Sequence, residues 1–382
     1  MGQSYLAKTL FGLEEVLAEE LRELGATNIE TSTRAVKFEG DKKLMYRANL
    51  SLRTAIRVLK PIHTFKAKNE EELYKGVQEV NWSDYMLIEN TFAIDGVVTS
   101  PYFNHSKYIA LKSKDALVDQ FRDTFGVRPN VHVEKPDLRI NLYIYNDECT
   151  LSLDSSGDSL HRRGYRLEHN MAPLNECLAA GMILLSGWDR KSNFVDFMCG
   201  SGTLPIEAAM IARNVAPNKL RKHYGFMTWQ DYDEDLWEEA WGEARTEEIE
   251  FDQEIIGSDM LPINIDIANE NAERAQMDEY IKLSAKGFTK RMPPRGEGGI
   301  VIINPPYGER MQKENMENFY KLIGDHLKTH FSGYDAWIIS SNKDAMKCIG
   351  LRTSQKLTLF NSSLECKYHK YELYSGTRKE KD

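Results

Sequence analysis

The stretch that most constrains this chain runs from Asn193 to Pro205, Asn-Phe-Val-Asp-Phe-Met-Cys-Gly-Ser-Gly-Thr-Leu-Pro. Phe194 to Met198 is apolar apart from Asp196, which predicts a short buried strand with one carboxylate inside it. Gly200 and Gly202 follow, and Ile206 to Ala212 then carries apolar residues at helical spacing. Strand, glycine turn and helix open a doubly wound α/β sheet, whose ligands sit beyond the carboxyl ends of the strands. The glycines permit a sharp turn and let a ligand approach with no Cβ in the way. A dinucleotide fold calls for Gly-x-Gly-x-x-Gly, and here Pro205 stands at the third glycine position. A carboxylate three residues before the turn also suits a cationic ligand better than a pyrophosphate.

Two later stretches extend the pattern. Ile255-Ile-Gly-Ser-Asp259 reads as a second short strand ending in a carboxylate, followed by Pro262 and a helix. An acid there can accept both ribose hydroxyls of a nucleoside-containing cofactor. Gly299 to Ile303 is an apolar strand that runs into Asn304-Pro305-Pro306-Tyr307, where two prolines remove two backbone donors and stiffen the loop. Together these stretches resemble the class I methyltransferases that use S-adenosylmethionine (SAM), with the Asn193–Pro205 segment as their motif I. Asn304 to Tyr307 resembles the (Asn/Asp)-Pro-Pro-Tyr motif of those that modify exocyclic amino nitrogens.

Composition narrows the setting. At 382 residues the chain has room for two or three domains. Hydrophobic content of 41% and charged content of 28% fit a soluble globular protein, and no apolar run approaches the roughly 20 residues of a membrane helix. The start, Met1-Gly-Gln-Ser-Tyr, has no secretory pattern. Cys149, Cys177, Cys199, Cys348 and Cys366 are scattered, which argues for a reducing compartment and against a disulfide frame or a zinc site. The expectation is therefore a cytoplasmic protein with no metal, no membrane association and no evident protein partner. A net charge of −9 disfavours a polyanionic substrate at first sight, but nucleic acid needs a local basic patch rather than a basic total.

Upstream of the glycine turn the order of predicted elements suits two small α+β units. Over 1–64 it reads strand, helix, strand, strand, helix, strand, a ferredoxin-like order. Asp41 is placed to cap the helix from Lys42, and Gly25 to stop the one before it. Over 65–158, helices at Glu70–Val80 and Lys107–Phe125 alternate with strands at Thr91–Thr99, Val131–Lys135, Leu138–Tyr145 and Cys149–Asp154. This second unit resembles a THUMP domain, an RNA-binding module, and Lys107, Lys112 and Lys114 on one helix are its candidate RNA contacts. Residues 159–382 form the methyltransferase domain. Within it, 214–254 is an insertion in which Trp237 and Trp241 share a helix face, read as packing onto the sheet.

Leu160-His-Arg-Arg-Gly-Tyr-Arg166 and Met171-Ala-Pro-Leu-Asn175 resemble the segment that precedes the cofactor loop in the RlmL-type family of guanine-N2 RNA methyltransferases. In that resemblance the segment lies near the methionine end of SAM and the RNA entrance. Arg162, Arg163 and Arg166 are then candidate phosphate contacts, and Pro173 a cofactor contact. The resemblance also assigns Asp196 to the cofactor's amino group and Asp259 to its ribose, with Cys199, Gly200, Gly202, Thr203, Met260 and Asn304 lining the same site. The third strand departs from the family: Gly287-Phe288 stands where an acidic or polar residue meets the adenine, leaving backbone groups and the Phe288 ring as substitutes.

The chemistry implied is methyl transfer from a sulfonium to an amino nitrogen, which is chiefly a problem of positioning. Asn304 and the Pro305 carbonyl would hold the amine hydrogens, Pro306 would stiffen the loop, and Tyr307 would stack on an extruded base. Methylation at carbon 5 of a pyrimidine requires a cysteine near the fourth strand, and none stands between Ile300 and Arg310. The resemblance to the RlmL-type family implies formation of N2-methylguanosine in large-subunit (23S) ribosomal RNA as the expected activity. The alternatives are a tRNA guanine-N2 enzyme, an adenine-N6 methyltransferase, and a non-catalytic RNA-binding assembly factor.

Overall fold

The computed structural model describes residues 2–166, 174–296, 298–306 and 313–374. By internal contacts the chain divides into two units, one built from 1–9, 18–160 and 221–242, the other from 10–17, 161–220 and 243–382.

In the first unit the strands are β1 (Gln3–Thr9), β2 (Thr27–Ser32), β3 (Ala35–Gly40), β4 (Ala55–Lys66), β5 (Thr91–Thr99), β6 (Asn130–Val131), β7 (Leu138–Tyr145) and β8 (Glu148–Asp154). The helices of this part of the chain are α1 (Glu14–Glu23), α2 (Lys42–Ser51), α3 (Glu70–Gln78) and α4 (Ser106–Phe125). All eight strands form one sheet in the order β2-β3-β1-β4-β8-β7-β5-β6. β4 makes the sheet continuous: at 12 residues it is long enough to pair antiparallel with β1 and, further along, with β8. The ferredoxin-like and THUMP segments therefore share one sheet.

Local chemistry explains most of the boundaries. Asp41 accepts from the Leu44 amide at 2.7 Å and caps α2, as its position predicts. Asn69 caps α3 through two amides, and α4 ends at Gly126, whose φ of +74° suits a residue without a Cβ. The expected strand at Val131–Lys135 is corrected to the two residues Asn130–Val131. The chain turns there because the Lys135 amide donates to His132 Nδ1, and Pro136 follows with no donor to give.

The insertion also needs correction. Its helix is α7 (Glu234–Thr246), after α5 (Glu176–Leu185) and α6 (Thr203–Ala212), but 221–242 belongs to the first unit rather than to the sheet that follows the glycine turn. Trp237 packs edge-on against Tyr46 of α2 and against Tyr224 and Phe226, with ring centres 5.2–6.0 Å apart. The buried Trp229 lies under the Lys60 ammonium.

The second unit holds β9 (Asn193–Asp196), β10 (Ile255–Asp259), β11 (Ile281–Ala285), β12 (Gly299–Ile303), β13 (Tyr334–Ser340), β14 (Thr353–Asn361) and β15 (Leu364–Glu372), with helices α8 (Pro262–Ala275), α9 (Lys313–His330) and α10 (Lys343–Lys347). Strand order is β11-β10-β9-β12-β13-β15-β14, parallel as far as β13, with β15 antiparallel between β13 and β14. Alternate residues face two cores. Phe194, Ile255, Ile300, Ile302 and Trp337 pack in the core that includes residues of α5 and α6. Val195, Val301, Ile303 and Ile338 pack in a second core with Tyr320, Ile323 and Leu327 of α9. Strands covered on both faces read as continuous apolar runs, which is why β9 and β12 are plain in the sequence. The order reverses at β9, flanked by β10 on one side and β12 on the other, and such a switch point opens a crevice at the carboxyl ends.

Candidate active site

At the carboxyl end of β9, Asp196 is only 1% exposed and accepts one hydrogen bond, from the Met198 amide at 3.0 Å. Burial, with the nearby charge of Asp259 adding to it, pushes its carboxyl up to about 8 against that bond. Cys199 follows, buried, its amide donating to Ser258 of β10. Burial and the two carboxylates hold its thiol well above the usual range, which favours the neutral thiol over the thiolate. The turn that follows needs its glycines. Gly200 has a φ of +52°, and its amide donates to Asp259 Oδ2 at 3.2 Å. Gly202 has a φ of +84°, and a Cβ there would come within 3.0 Å of Ala268 Cβ on α8. Thr203 then starts α6, buried.

Asp259, at the end of β10, is held in place from three sides. Besides the Gly200 amide on Oδ2, its Oδ1 accepts from the Leu261 amide at 2.9 Å and from Asn264 Nδ2 at 3.0 Å. Met260 beside it is 74% exposed. The structure thus brings Asp196, Cys199, Gly200, Gly202, Thr203 and Asp259 to one edge of the sheet.

Asn304 follows β12 on the same edge. Val301 pairs with Val195, so Asn304 lies one strand from the turn that begins after Asp196. The Asn304 side-chain oxygen is buried and has no hydrogen-bond partner among the described residues. An unmet buried acceptor costs about 1–3 kcal/mol, so a donor on a bound group would stabilise it. Pro305 is buried and Pro306 exposed. Tyr307 and Pro173 lie outside the described residues.

Two of the three arginines of the preceding segment, Arg163 and Arg166, take other roles than expected. Arg162 is exposed, but Arg163 is buried, and its Nε lies 3.5 Å from the buried Glu207 of α6. A side chain sealed inside the unit does not meet phosphate, so the expectation for Arg163 is corrected: it pairs with an internal carboxylate. Tyr165 donates to the same Glu207 at 3.0 Å, and burial, with Glu207 and Glu176 beside it, pushes its hydroxyl well above the ordinary value. Arg166 is largely enclosed. Its Nε lies 3.0 Å from Glu176, and its Nη2 donates to the Leu174 carbonyl at 3.0 Å and to Thr203 Oγ1 at 2.8 Å.

On α4, Lys107 is exposed and Lys114 pairs with Asp115 at 2.7 Å, both on one face. Lys112 is turned to another face, its ammonium 5.0 Å from the Tyr74 ring, and lines a groove of about 670 Å³ with Lys68, Tyr102 and Tyr108.

Two features of the third strand matter. Phe288 stacks on Phe197 at 6.0 Å and meets Phe319 and His326 edge-on, so its ring is committed to that cluster. Sequence reasoning missed Arg291, whose Nη2 donates to Ser284 Oγ of β11 at 2.8 Å and whose Nε donates to Ser258 Oγ of β10 at 3.4 Å. Its carbonyl is held by His326 at 2.8 Å. In the sequence it is only one of three cations, with Lys290 and Arg295, around Pro293-Pro294.

A seven-stranded sheet of this order, with a glycine turn after β9, where the order reverses, and Asn-Pro-Pro after the neighbouring β12, defines a class I methyltransferase domain. Residues 163–370 match the family described as RMKL-like, methyltransferase domain. Residues 67–154 match the THUMP domain, and 4–59 the RlmL ferredoxin-like domain. The chain belongs to the RMKL-like methyltransferase family. It is 41% identical over 372 residues to slr0064 of Synechocystis sp., a candidate RNA methyltransferase, with 97% of each chain covered. It is 40% identical over 373 residues to the ribosomal RNA large subunit methyltransferase K/L of Syntrophotalea carbinolica; that match takes in 95% of this chain and spans 52% of the relative's length. Among solved structures, the candidate methyltransferase SMU.472, crystallised with SAH, superposes with a TM-score of 0.87 at 28% identity, over 98% of this chain and 99% of that one.

Proposed function

We propose that this chain is a SAM-dependent RNA methyltransferase that forms N2-methylguanosine, with large-subunit ribosomal RNA as its substrate. The observation that carries the reading is the buried acceptor of Asn304, without a partner among the described residues, one strand from the desolvated carboxyl of Asp196.

The donor set suits SAM. A buried carboxyl beside a second acid at a glycine turn favours a cationic group, so Asp196 would hold the cofactor's amino group. Asp259, held by three donors of its own, would accept the ribose hydroxyls. Gly200, Gly202, Thr203, Cys199 and Met260 would line the rest of the cofactor site. When bound, SAM supplies a methyl group already activated on a sulfonium.

What remains for the residues of this chain is positioning. An exocyclic amine conjugated with its ring is a poor nucleophile. The Asn304 oxygen and the Pro305 carbonyl can each accept one of its N–H bonds and so draw the nitrogen toward tetrahedral geometry. Two stiff prolines hold those acceptors still. A base reaches this loop only when extruded from its stack, which fits an RNA substrate presented in a loop. The THUMP match and the names of the two relatives support RNA as the substrate, and the match to the large-subunit enzyme favours ribosomal over transfer RNA.

The test is methyl transfer from radiolabelled SAM to protein-free large-subunit ribosomal RNA and, separately, to tRNA, followed by digestion to nucleosides. Label in N2-methylguanosine from ribosomal RNA is the expected result. The same nucleoside from tRNA would move the substrate, N6-methyladenosine would overturn the base assignment, and no transfer would leave an RNA-binding assembly factor.

A further inference from the structure

The edge of the second unit's sheet carries a basic face that the cofactor site does not use. Residues 341–374 hold Lys343, Lys347, Arg352, Lys356, Lys367 and Lys370 against Asp344, Glu365 and Glu372, an excess of positive charge in a chain whose net charge is −9. On β14 and β15 the register gathers part of this charge on one side. Lys356 pairs with His369 and Thr358 with Lys367, while Leu357, Leu359, Cys366 and Tyr368 point to the opposite side, toward the hydrophobic core. Glu365 lies between two ammonium groups, 3.0 Å from Lys343 and 2.9 Å from Lys367, and so fixes both lysines. Lys367 also donates to Thr358 Oγ1 at 2.8 Å. Lys356 is exposed and has no ion pair among the described residues. The positive potential is felt by His369, whose imidazole is held below its ordinary value by burial first and then by Lys356 and Lys367.

The position of this face gives it a use. Ile303 pairs with Ile338, and Ser340 of the same strand pairs with Lys367. Asn304, next after Ile303, is therefore two strands away from the Tyr368–Lys367 step of β15, about 10 Å at the usual strand spacing. Neighbouring phosphates of a single strand lie within that reach of a flipped base. We infer that Lys367 on β15, Lys356 on β14 one strand further out, and Lys343 at the start of α10 form a phosphate-binding track for the RNA that flanks the target nucleotide. Lysine suits this role, because a point charge on a flexible stem positions a backbone without reading sequence. The inference rests on the RNA reading given above and adds to it the surface that holds the strand beside the reacting base.

The experiment compares the whole protein with K356A and with the double variant K343A/K356A, using protein-free large-subunit ribosomal RNA as probe. An exposed lysine on α9, replaced in K321A, is the control. Removing one lysine–phosphate pair should lower the slope of log K against log salt by about 0.7 to 0.9 and weaken binding several-fold, with SAM affinity by calorimetry unchanged. K321A should leave the slope as it is. If the wild-type protein methylates RNA and the double variant keeps its salt slope and its KM for RNA, the track is wrong and the enzyme reading stands. If the wild-type protein binds and methylates no RNA, the enzyme reading itself fails. Weaker binding in K356A that is equal at all salt concentrations would also overturn the inference, because a phosphate contact must be screened.

Discussion

Arg166 Nη2 donates to Thr203 Oγ1 at 2.8 Å, joining the segment before the sheet to the first turn of the helix that follows the glycines. The same guanidinium bonds the Leu174 carbonyl and faces Glu176 at the start of α5. One planar group therefore fixes the glycine turn against the entrance to α5, which requires the fork geometry of arginine.

The first prediction follows. Arg166→Ala should weaken SAM binding by roughly 10-fold or more, the scale of losing charge-assisted hydrogen bonds worth about 1.5–3 kcal/mol. Arg166→Lys should recover little of it. Calorimetry with SAM decides the point. Unchanged SAM affinity, with a flattened salt dependence of RNA binding, would return Arg166 to the RNA surface.

Arg163 should behave differently. Its charge is sealed beside Glu207, which also accepts from Tyr165. Arg163→Ala leaves a buried carboxylate without its counter-charge, and breaking a buried pair costs about 3–5 kcal/mol. Urea unfolding of the second unit should show that loss. Tyr165→Phe removes only one hydrogen bond and should cost about 1 kcal/mol. A folded Arg163→Ala protein of normal stability but poor RNA affinity would contradict this assignment.

These two arginines show where the sequence was legible and where it was not. Asp196, the glycine turn, Asp259 and Asn304-Pro-Pro stand out because each is a polar break in a buried strand or at its end, and a local pattern suffices to see it. The same locality made the cluster around Arg163 look like a cationic surface. Its partner Glu207 is 44 residues further on and lies within an apolar helix that reads as uniformly buried. The destination of 221–242 was hidden for a similar reason. The spacing of Trp237 and Trp241 shows that they share a face, but nothing local says that Trp237 meets Tyr46. Arg291 was missed because its partners are two serines on different strands, and no spacing links them.

The aromatic cluster gives a prediction for the first unit alone. Trp237→Ala removes the packing against Tyr46, Tyr224 and Phe226, but the side chain is only half-buried. The loss should fall below the roughly 3–5 kcal/mol of a fully buried tryptophan, near about 2 kcal/mol. Limited proteolysis should then cut 221–242 faster, while SAM affinity stays as in the wild type. Loss of SAM binding with unaltered protease resistance would place the cluster in the wrong unit.

Asn304 and SAM should be separable. Asn304→Ala should reduce kcat by an amount corresponding to about 2.7–4 kcal/mol, the scale for one positioned polar group in a transition state. Because the Asn304 oxygen has no partner within the described fold, stability should hold or rise slightly. SAM affinity should change little. Equal losses in kcat and in SAM binding would mean that Asn304 serves the cofactor rather than the amine.

Asp196 ties stability to pH with a definite sign. Its folded carboxyl is raised to about 8, above the ordinary value near 4, so over that interval the folded state binds a proton that the unfolded state has released. Its contribution to the stability of the cofactor-free protein is therefore full below about pH 4 and is lost as pH rises toward 8, on the order of a few kcal/mol in all. Asp196→Asn keeps the acceptor for the Met198 amide and carries no proton to lose. Urea unfolding without SAM should thus show the variant gaining on the wild type as pH is raised from 5.5 to 8, and the gap should level off above about 8. Binding has the opposite sign: an ammonium group seated beside Asp196 draws its proton off, so SAM binding near pH 7 should release a proton in the wild type and less in Asp196→Asn. Calorimetry in two buffers of different ionisation enthalpy measures that release directly. Equal proton release in both proteins would mean that the cofactor's amino group does not sit at Asp196.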